Sequence, residues 1–586
     1  MNILLRIQCS RIPKVSMRSF HKDYGVSTPQ NFSDYESIKR DCKIEVPEYF
    51  NFAKDVMDHW AKMEKIGKRP INPAFWWVND NGEEVRWNFQ ELGSLSKKLA
   101  NVLTESCGLK KGDRVIVILP AIPEWWLINV ACLRTGTVLI PGTIQLTEND
   151  LLYRLQTSTA KCIITNDTLA ITVDAIAHKC KNLKSKLIVS EKPKEGWGNL
   201  RELMKHASDD HSCVKTRHND TMTIYFTSGT TGSPKMTEHT HSSYGLGLSI
   251  NGRYWLDLTP SDIMWNTSDT GWAKSAWSSV FSPWSLGACV FAHYMPRFEP
   301  TSILKTLSRF PITVFCTAPT AYRMLVLNYK SSYKFKSLKH CVTAGEPINP
   351  EVSEQWKKKT GLDIYEGYGQ TETVLVCGTF KGMKIKNGSM GKPSPVFDVK
   401  IIDENGDILP PKQEGTIGIR VLPNRPLGLF AGYVDEPVRT SSVFRGDFYM
   451  TGDRGYMDED GYIWFIGRSD DIILSSGISN ALLPRYRIGP FEVESALAEH
   501  PAVLESAVVS SPDQIRGEVV KAFVILKAEY KSHDPEKIKN ALQEHVKKTT
   551  APYKYPRKVE FVHELPKTIS GKIKRNELRK KEWGKV

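Results

Sequence analysis

Between residues 114 and 345, short β-rich runs alternate with helical ones, and no other feature limits the fold of this chain so strongly. The runs 114–119, 137–141, 161–165, 186–189, 222–226, 312–316 and 338–343 read as buried strands, and 302–309 and 350–359 read as helices. Such alternation gives parallel sheets covered by helices, with ligands gathering at loops beyond the carboxyl ends of the strands. From about Lys400 the texture changes. Asp403-Glu404-Asn405-Gly406-Asp407 and Asp458-Glu459-Asp460-Gly461-Tyr462 are turn clusters between β-rich runs, predicting a smaller antiparallel β region. After Arg468, a helix near 491–500, strands at 503–509 and 519–526, a helix at 535–548 and a strand at 558–562 predict a compact α+β domain. The expected fold is therefore α/β. A leader (1–22) precedes a large N-terminal domain (23–468) of parallel-sheet subdomains plus a small β subdomain. A small α+β C-terminal domain (469–586) follows.

Charge and cysteine usage narrow the class. The most apolar stretch, 115–133, contains Pro120, Pro123 and Glu124, which argues against a membrane span. The net charge of +14 sits at the two ends. Residues 1–22 carry five Lys/Arg and no Asp/Glu, residues 547–586 carry thirteen against four, and the 524 residues between are neutral. The leader places Arg6, Arg11, Lys14, Arg18 and Lys22 among Ile, Leu and Ser without a long apolar core, as mitochondrial transit peptides do. The expected location is the mitochondrial matrix. Eleven cysteines, spread singly from Cys9 to Cys377, predict free thiols in a reducing compartment. His239 and His241 lack zinc-protease spacing and read as local hydrogen-bonding groups. The basic ends are not interleaved with aromatic stacking platforms, so nucleic acid is not an expected partner.

Five motifs carry chemistry. Thr227-Ser228-Gly229-Thr230-Thr231-Gly232-Ser233-Pro234-Lys235 follows a β-rich run. Its glycines permit close approach of an anion, its hydroxyls and backbone N–H groups are donors, and Lys235 adds a positive charge. It is not a Walker loop, because Pro234 precedes the lysine and Met236 follows it. Tyr365-Glu366-Gly367-Tyr368-Gly369-Gln370-Thr371-Glu372 is expected just after a strand, offering an aromatic ring for a base and a carboxylate for Mg²⁺. Tyr449-Met450-Thr451-Gly452-Asp453 is expected to put one carboxylate in a tight turn, where it could accept the two hydroxyls of a ribose. Gly467-Arg468-Ser469-Asp470-Asp471 lies where the texture changes, and Pro566-Lys567-Thr568-Ile569-Ser570-Gly571-Lys572 sets a lysine on a Gly-Ser turn near the chain end.

In this order and spacing the motifs resemble those of the adenylate-forming superfamily. Met264-Trp265-Asn266-Thr267-Ser268-Asp269-Thr270-Gly271-Trp272 and Ala551-Pro552-Tyr553-Lys554-Tyr555-Pro556-Arg557-Lys558 look like the mitochondrial medium-chain acyl-CoA synthetases within it. The resemblance spans essentially the whole chain after the leader. It implies AMP-forming ligation of medium- or short-chain fatty acids to coenzyme A through an acyl-adenylate, with small molecules as the partners. It implies that 227–235 grips the β- and γ-phosphates, that 366–371 lines the adenine and α-phosphate region, and that Glu372 holds Mg²⁺. Asp453 would take the ribose hydroxyls with help from Arg468. Lys572 would stabilise the adenylation transition state, and Trp272 would lie by the acyl and pantetheine channel. Asp470 matches the hinge about which the small domain turns between the two half-reactions. Ser476, Gly477, Tyr486, Arg516, Lys547 and Tyr555 match coenzyme A contacts.

One departure stands out. The family runs from Ser-Ser-Gly directly into Tyr-Arg-Ile-Gly-Pro, whereas here Ile478-Ser479-Asn480-Ala481-Leu482-Leu483-Pro484-Arg485 separates Gly477 from Tyr486. A loop insertion costs little chain entropy, but a misplaced positioning group can cost rate. Two alternatives follow from its place: an adenylating enzyme impaired in thioester formation, or a non-catalytic nucleotide- or acyl-binding protein. A third, transfer to a carrier-protein thiol, is disfavoured because no carrier domain is present.

Overall fold

The computed structural model describes residues 35–42, 44–227, 234–475, 486–513, 517–567 and 572–584. The leader, residues 228–233, Ser476, Gly477, the 478–485 insertion and Arg516 lie outside the described residues, as does the side chain of Tyr486.

Two large sheets form the body. One runs, strand by strand, Gly432–Tyr433, Lys235–Thr240, Thr221–Thr227, Val138–Pro141, Arg114–Ile118, Cys162–Asn166, Ser185–Val189, Gly198–Asn199. The other has nine strands, with Ile364–Gly369, His340–Ala344, Val314–Thr317, Ile263–Asn266, Cys289–Tyr294 and Phe75–Asn79 parallel at its centre. Both faces of the parallel strands are buried, as this architecture requires. Val115 and Val117 enter the cluster that joins the two sheets, while Ile116 and Ile118 enter a second cluster under the outer helices. The covering helices carry their own boundary signals. Pro123–Thr135 opens on proline at its first position and ends on Gly136 at φ 67°. No helix among the described residues is long and apolar enough to cross a membrane.

The antiparallel β region is present as a five-stranded sheet containing Val399–Ile402, Gly415–Arg420, Phe448–Met457 and Ile463–Arg468. Beyond it, Ile473–Ser475, Tyr486–Ile488, Gly517–Leu526, Val503–Asp513 and Lys558–Phe561 form a separate sheet. The helices Pro490–Ala498 and Pro535–Thr549 share a core with it. The insertion leaves and rejoins this sheet at one rung, because Ser475 pairs directly with Tyr486.

After the Thr/Ser/Gly loop, Lys235–Thr240 returns antiparallel beside Thr221–Thr227, with Thr227 opposite Lys235. Two expectations need correction. Residues 364–369 are themselves a strand, paired on both sides, rather than a loop after one. Asp453 lies within the strand Phe448–Met457 rather than in a tight turn. Gly452, at φ 74°, is absorbed there, where the pairing with Gly415–Arg420 slips by two residues, so the chain bends without reversing.

Candidate active site

The first group of site residues is built where the two large sheets meet. Tyr433 lies opposite Thr237 on the edge of the first sheet, which sets its ring beneath the Nζ of Lys235 at 4.8 Å. Its hydroxyl donates to Glu372 Oε1 at 2.8 Å, reaching across to the segment that follows Ile364–Gly369 in the second sheet. The backbone of Glu372 is fixed by Phe430 N–H at 2.8 Å. Tyr153 donates to the carbonyl of Pro234 at 3.0 Å, anchoring the end of the phosphate-type loop.

His239 supports this corner from behind. Its Nε2 is 2.6 Å from the carbonyl of Thr371, which can only accept, so Nε2 carries the proton. Nδ1 is 3.0 Å from the Ser243 hydroxyl. Burial lowers the ring's pKa to about 3, and that of His241 to about 4. Both are neutral structural groups. Among the described residues no cluster of three His, Cys, Asp or Glu side chains forms a metal cage.

The second group surrounds Asp453. Tyr368 donates to Asp453 Oδ2 at 2.5 Å and Gln370 Nε2 to the same oxygen at 2.7 Å. Gln370 also donates to the Thr451 carbonyl at 2.7 Å and accepts from Tyr449 at 3.1 Å, so its amide orientation is fixed by both partners. Asp453 faces Arg468 across neighbouring strands. Burial raises the Asp453 carboxyl above its ordinary range, and Arg468, Tyr368, Gln370 and Lys572 oppose that rise. Arg468 Nε in turn contacts Asp470 Oδ1 at 3.1 Å, at the start of the small domain.

Three further groups line the same end of the nine-stranded sheet. Lys572 is exposed, yet its charge acts on both Asp453 and Lys274. Lys274 donates to the carbonyl of Ala344 at 2.6 Å from the short helix Ala273–Ala276. Protein encloses it while it keeps some accessible surface, which marks a cleft wall; burial, with Lys572 adding, lowers its pKa. Trp272 is half-buried at the start of that helix, beside Gly271, where a Cβ would come within 2.2 Å of Thr143 N. Glu366 is buried in the strand Ile364–Gly369. Its carboxyl accepts from Ile348 N–H, its Oε2 has no partner, and burial raises its pKa to about 8. It is a neutral acid at ordinary pH.

Of the residues expected to meet coenzyme A, only the side chains of Lys547 and Tyr555 are described. Lys547 and Tyr555 do meet, with Nζ 4.4 Å from the ring centre. Lys547 also donates to Glu544 at 2.5 Å, and Arg557 donates to the Tyr555 hydroxyl at 2.8 Å. Tyr433 and Lys274 escape the sequence motifs, Tyr449 stands in one without an assigned role, and His239 reads there only as a local hydrogen-bonding group. Only the Gly271-Trp272 neighbourhood signals Lys274, and the others reach the site through tertiary contact alone.

Comparison with known proteins decides the family. Residues 63–434 match the model of the AMP-binding enzymes, and residues 492–572 match their C-terminal domain. The chain is 74% identical to mouse (Mus musculus) mitochondrial acyl-coenzyme A synthetase ACSM3, with 100% of both chains covered. It belongs to the AMP-binding enzymes, among the mitochondrial acyl-coenzyme A synthetases. Human (Homo sapiens) mitochondrial ACSM4 is 60% identical, again over 100% of both chains. The crystal structure of the anthranilate CoA ligase AuaEII with anthranoyl-AMP superposes with a TM-score of 0.81 at 27% identity, covering 93% of this chain and 99% of that one. This synthetase is a mitochondrial ligase that uses ATP to join a fatty acid to coenzyme A. The adenylate-forming fold is as the sequence led one to expect, and the non-catalytic alternative is not favoured.

Proposed function

We propose that the synthetase activates medium- and short-chain fatty acids in the mitochondrial matrix through an acyl-adenylate, with the residues above in distinct roles. The observation that supports this most directly is that Tyr368 and Gln370 converge on Asp453 opposite Arg468, a corner suited to a ribose, with the small domain's Lys572 near enough for its charge to act there. In the first half-reaction a carboxylate oxygen of the acid attacks the α-phosphorus of ATP, and pyrophosphate leaves. Charge builds on the phosphoryl oxygens, so catalysis rests on fixed cations and positioning. Lys572 neutralises that charge. Thr227 and Lys235, with the intervening Ser228, Gly229, Thr230, Thr231, Gly232, Ser233 and Pro234, hold the outer phosphates. Asp453 receives the ribose hydroxyls, oriented by Tyr368 and Gln370 and backed by Arg468, while Glu366, Gly367, Gly369 and Thr371 border the adenine.

Mg²⁺ fits this site. Glu372 is an oxygen ligand held in place by Tyr433 beside Lys235, and Mg²⁺ is ordinarily bound by one or two carboxylates, substrate phosphates and water rather than by an all-protein cage. When bound, it would offset the charge of the outer phosphates.

In the second half-reaction the coenzyme A thiol, having lost its proton, attacks the acyl carbonyl, and AMP leaves. Trp272 borders the acyl channel. Lys547 and Tyr555, with Ser476, Gly477, Tyr486 and Arg516, meet coenzyme A, after the domain from 469 onward turns about Asp470. The basic segment 547–586 suits a domain that must meet a polyanion. Butyrate- and hexanoate-dependent ATP–pyrophosphate exchange, run beside acyl-CoA formation, tests this. Both should occur with both acids. Absence of exchange would reject the adenylate route, and exchange without thioester would place a defect in the second step.

A further inference from the structure

The small domain carries Lys572, so something must hold that domain against the large one while adenylation occurs. Glu505 is placed to do so. Its Oε1 accepts from Arg323 Nη2 at 3.1 Å, and Arg323 belongs to the large-domain helix Pro319–Asn328. Its Oε2 accepts from Lys567 Nζ at 2.8 Å. Lys567 pairs with Ile573 in an antiparallel bridge, and Lys574 N–H donates to Pro566 O at 2.8 Å, so Lys567 stands at the base of the segment that presents Lys572.

Local backbone geometry aims this carboxylate. Glu505 lies in the strand Val503–Asp513, where the pairing with Gly517–Leu526 slips between Val503 and Glu505 and leaves Leu504 unopposed. A bulge of this kind redirects a side chain. The Glu505 side chain is 11% exposed, against 34% for Arg323 and 38% for Lys567. Burial opposes its charge, but Lys567 and Arg323 outweigh burial and hold its pKa below the ordinary range. An isolated surface pair contributes little, whereas a largely enclosed carboxylate shared by two cations in charge-assisted bonds contributes more.

We propose that Glu505 is a latch for the adenylation state, clasping Arg323 of the large domain with one oxygen and the base of the Lys572 segment with the other. The two bonds have different fates when the domain turns. Lys567 and Glu505 travel together, so their bond survives, while Arg323 stays behind and its bond breaks. An interaction present in only one state biases the equilibrium toward that state by its own strength. Arg323 is thus a positioning residue for the first half-reaction and has no part in the second.

This inference rests on the proposed role of Lys572, and the test separates the two. With the full-length enzyme, butyrate-dependent ATP–pyrophosphate exchange reports the first half-reaction, and single-turnover acyl-CoA formation from butyryl-AMP and coenzyme A reports the second. Arg323→Glu sets two like charges face to face. Exchange is expected to fall about tenfold, while thioester formation stays within about twofold of the wild type or rises. Arg323→Lys keeps the charge and should recover most of the exchange, and thermal melts should match the wild type for both variants. Full exchange in Arg323→Glu, or equal loss of both half-reactions, overturns the latch. Lys572→Ala runs in parallel. If it keeps full exchange, the Lys572 assignment fails. If it loses exchange while Arg323→Glu keeps it, the latch alone fails.

Discussion

The hydroxyl of Tyr433 holds Oε1 of Glu372 at 2.8 Å while the face of the same ring lies 4.8 Å from the ammonium of Lys235. One aromatic side chain thus sets the spacing between the carboxylate proposed for Mg²⁺ and the cation proposed for phosphate. Tyr433→Phe keeps the ring and removes the hydroxyl. A hydrogen bond to a charged group contributes about 1.5–3 kcal/mol, so the Mg²⁺ concentration for half-maximal activity should rise about tenfold. Titrating Mg²⁺ at fixed ATP checks this, and an unchanged midpoint rejects Tyr433 as the group that orients Glu372.

Lys572 is proposed to act in the first half-reaction alone. Its charge acts at Asp453 and Lys274, among the residues proposed for adenylation. Lys572→Ala should lower pyrophosphate exchange about 100- to 1000-fold, the scale for removing a transition-state donor. Acyl-CoA formation from preformed acyl-AMP should be retained. Rapid-quench measurement of each step gives the ratio.

Glu366 makes stability depend on pH. Its folded pKa, about 8, lies above the ordinary carboxyl value of 4.5. The folded protein keeps this proton while the unfolded chain loses it, so the group's contribution is complete below about pH 4.5 and is lost as the pH rises to about 8. Glu366→Gln removes that slope. Relative to the wild type, the variant should gain stability between pH 5 and 8, by a few kcal/mol at most. Melting curves of the two proteins at three pH values decide it, and parallel pH profiles would show that Glu366 ionises normally.

The 478–485 insertion should be removable. Ser475 pairs with Tyr486, so deleting 478–485 leaves Ser476-Gly477 between paired residues, a two-residue hairpin loop with glycine in it. Closing two residues rather than ten spares about 1.4 kcal/mol of loop entropy. The deleted form should melt no lower than the intact one. A marked drop would mean that the insertion itself packs against the domain.

Much of the architecture was legible because buried parallel strands are continuous apolar runs, and 114–119, 161–165 and 222–226 fall on Arg114–Ile118, Cys162–Asn166 and Thr221–Thr227. The strand Ile364–Gly369 was hidden by two glycines and two tyrosines, which read as turn. Close packing explains both glycines: a Cβ on Gly367 would meet Trp255 at 2.6 Å, and one on Gly369 the Val374 carbonyl at 2.5 Å. Asp453 looked like a turn residue because Thr-Gly-Asp does not reveal that neighbouring strands will absorb a positive-φ glycine as a bulge. The motifs exposed Glu372, Gln370 and Asp453, but not what orients them. Tyr433 and Tyr449 lie 61 and 79 residues from their partners in the chain, and His239 lies 132 residues from Thr371. No local pattern encodes such pairings.

The rung that joins Asp453 to Arg468 also carries the root of the small domain, since Ser469 N–H donates to the Gly452 carbonyl at 2.9 Å and Arg468 contacts Asp470. This puts Asp453 at the proposed fulcrum, and a turn about Asp470 would carry Lys572 away from it while scarcely displacing Asp453 or Arg468. A nucleotide seated at the fulcrum can keep its grip while the small domain swings, so one molecule of adenylate need not be handed from one place to another between its making and its use.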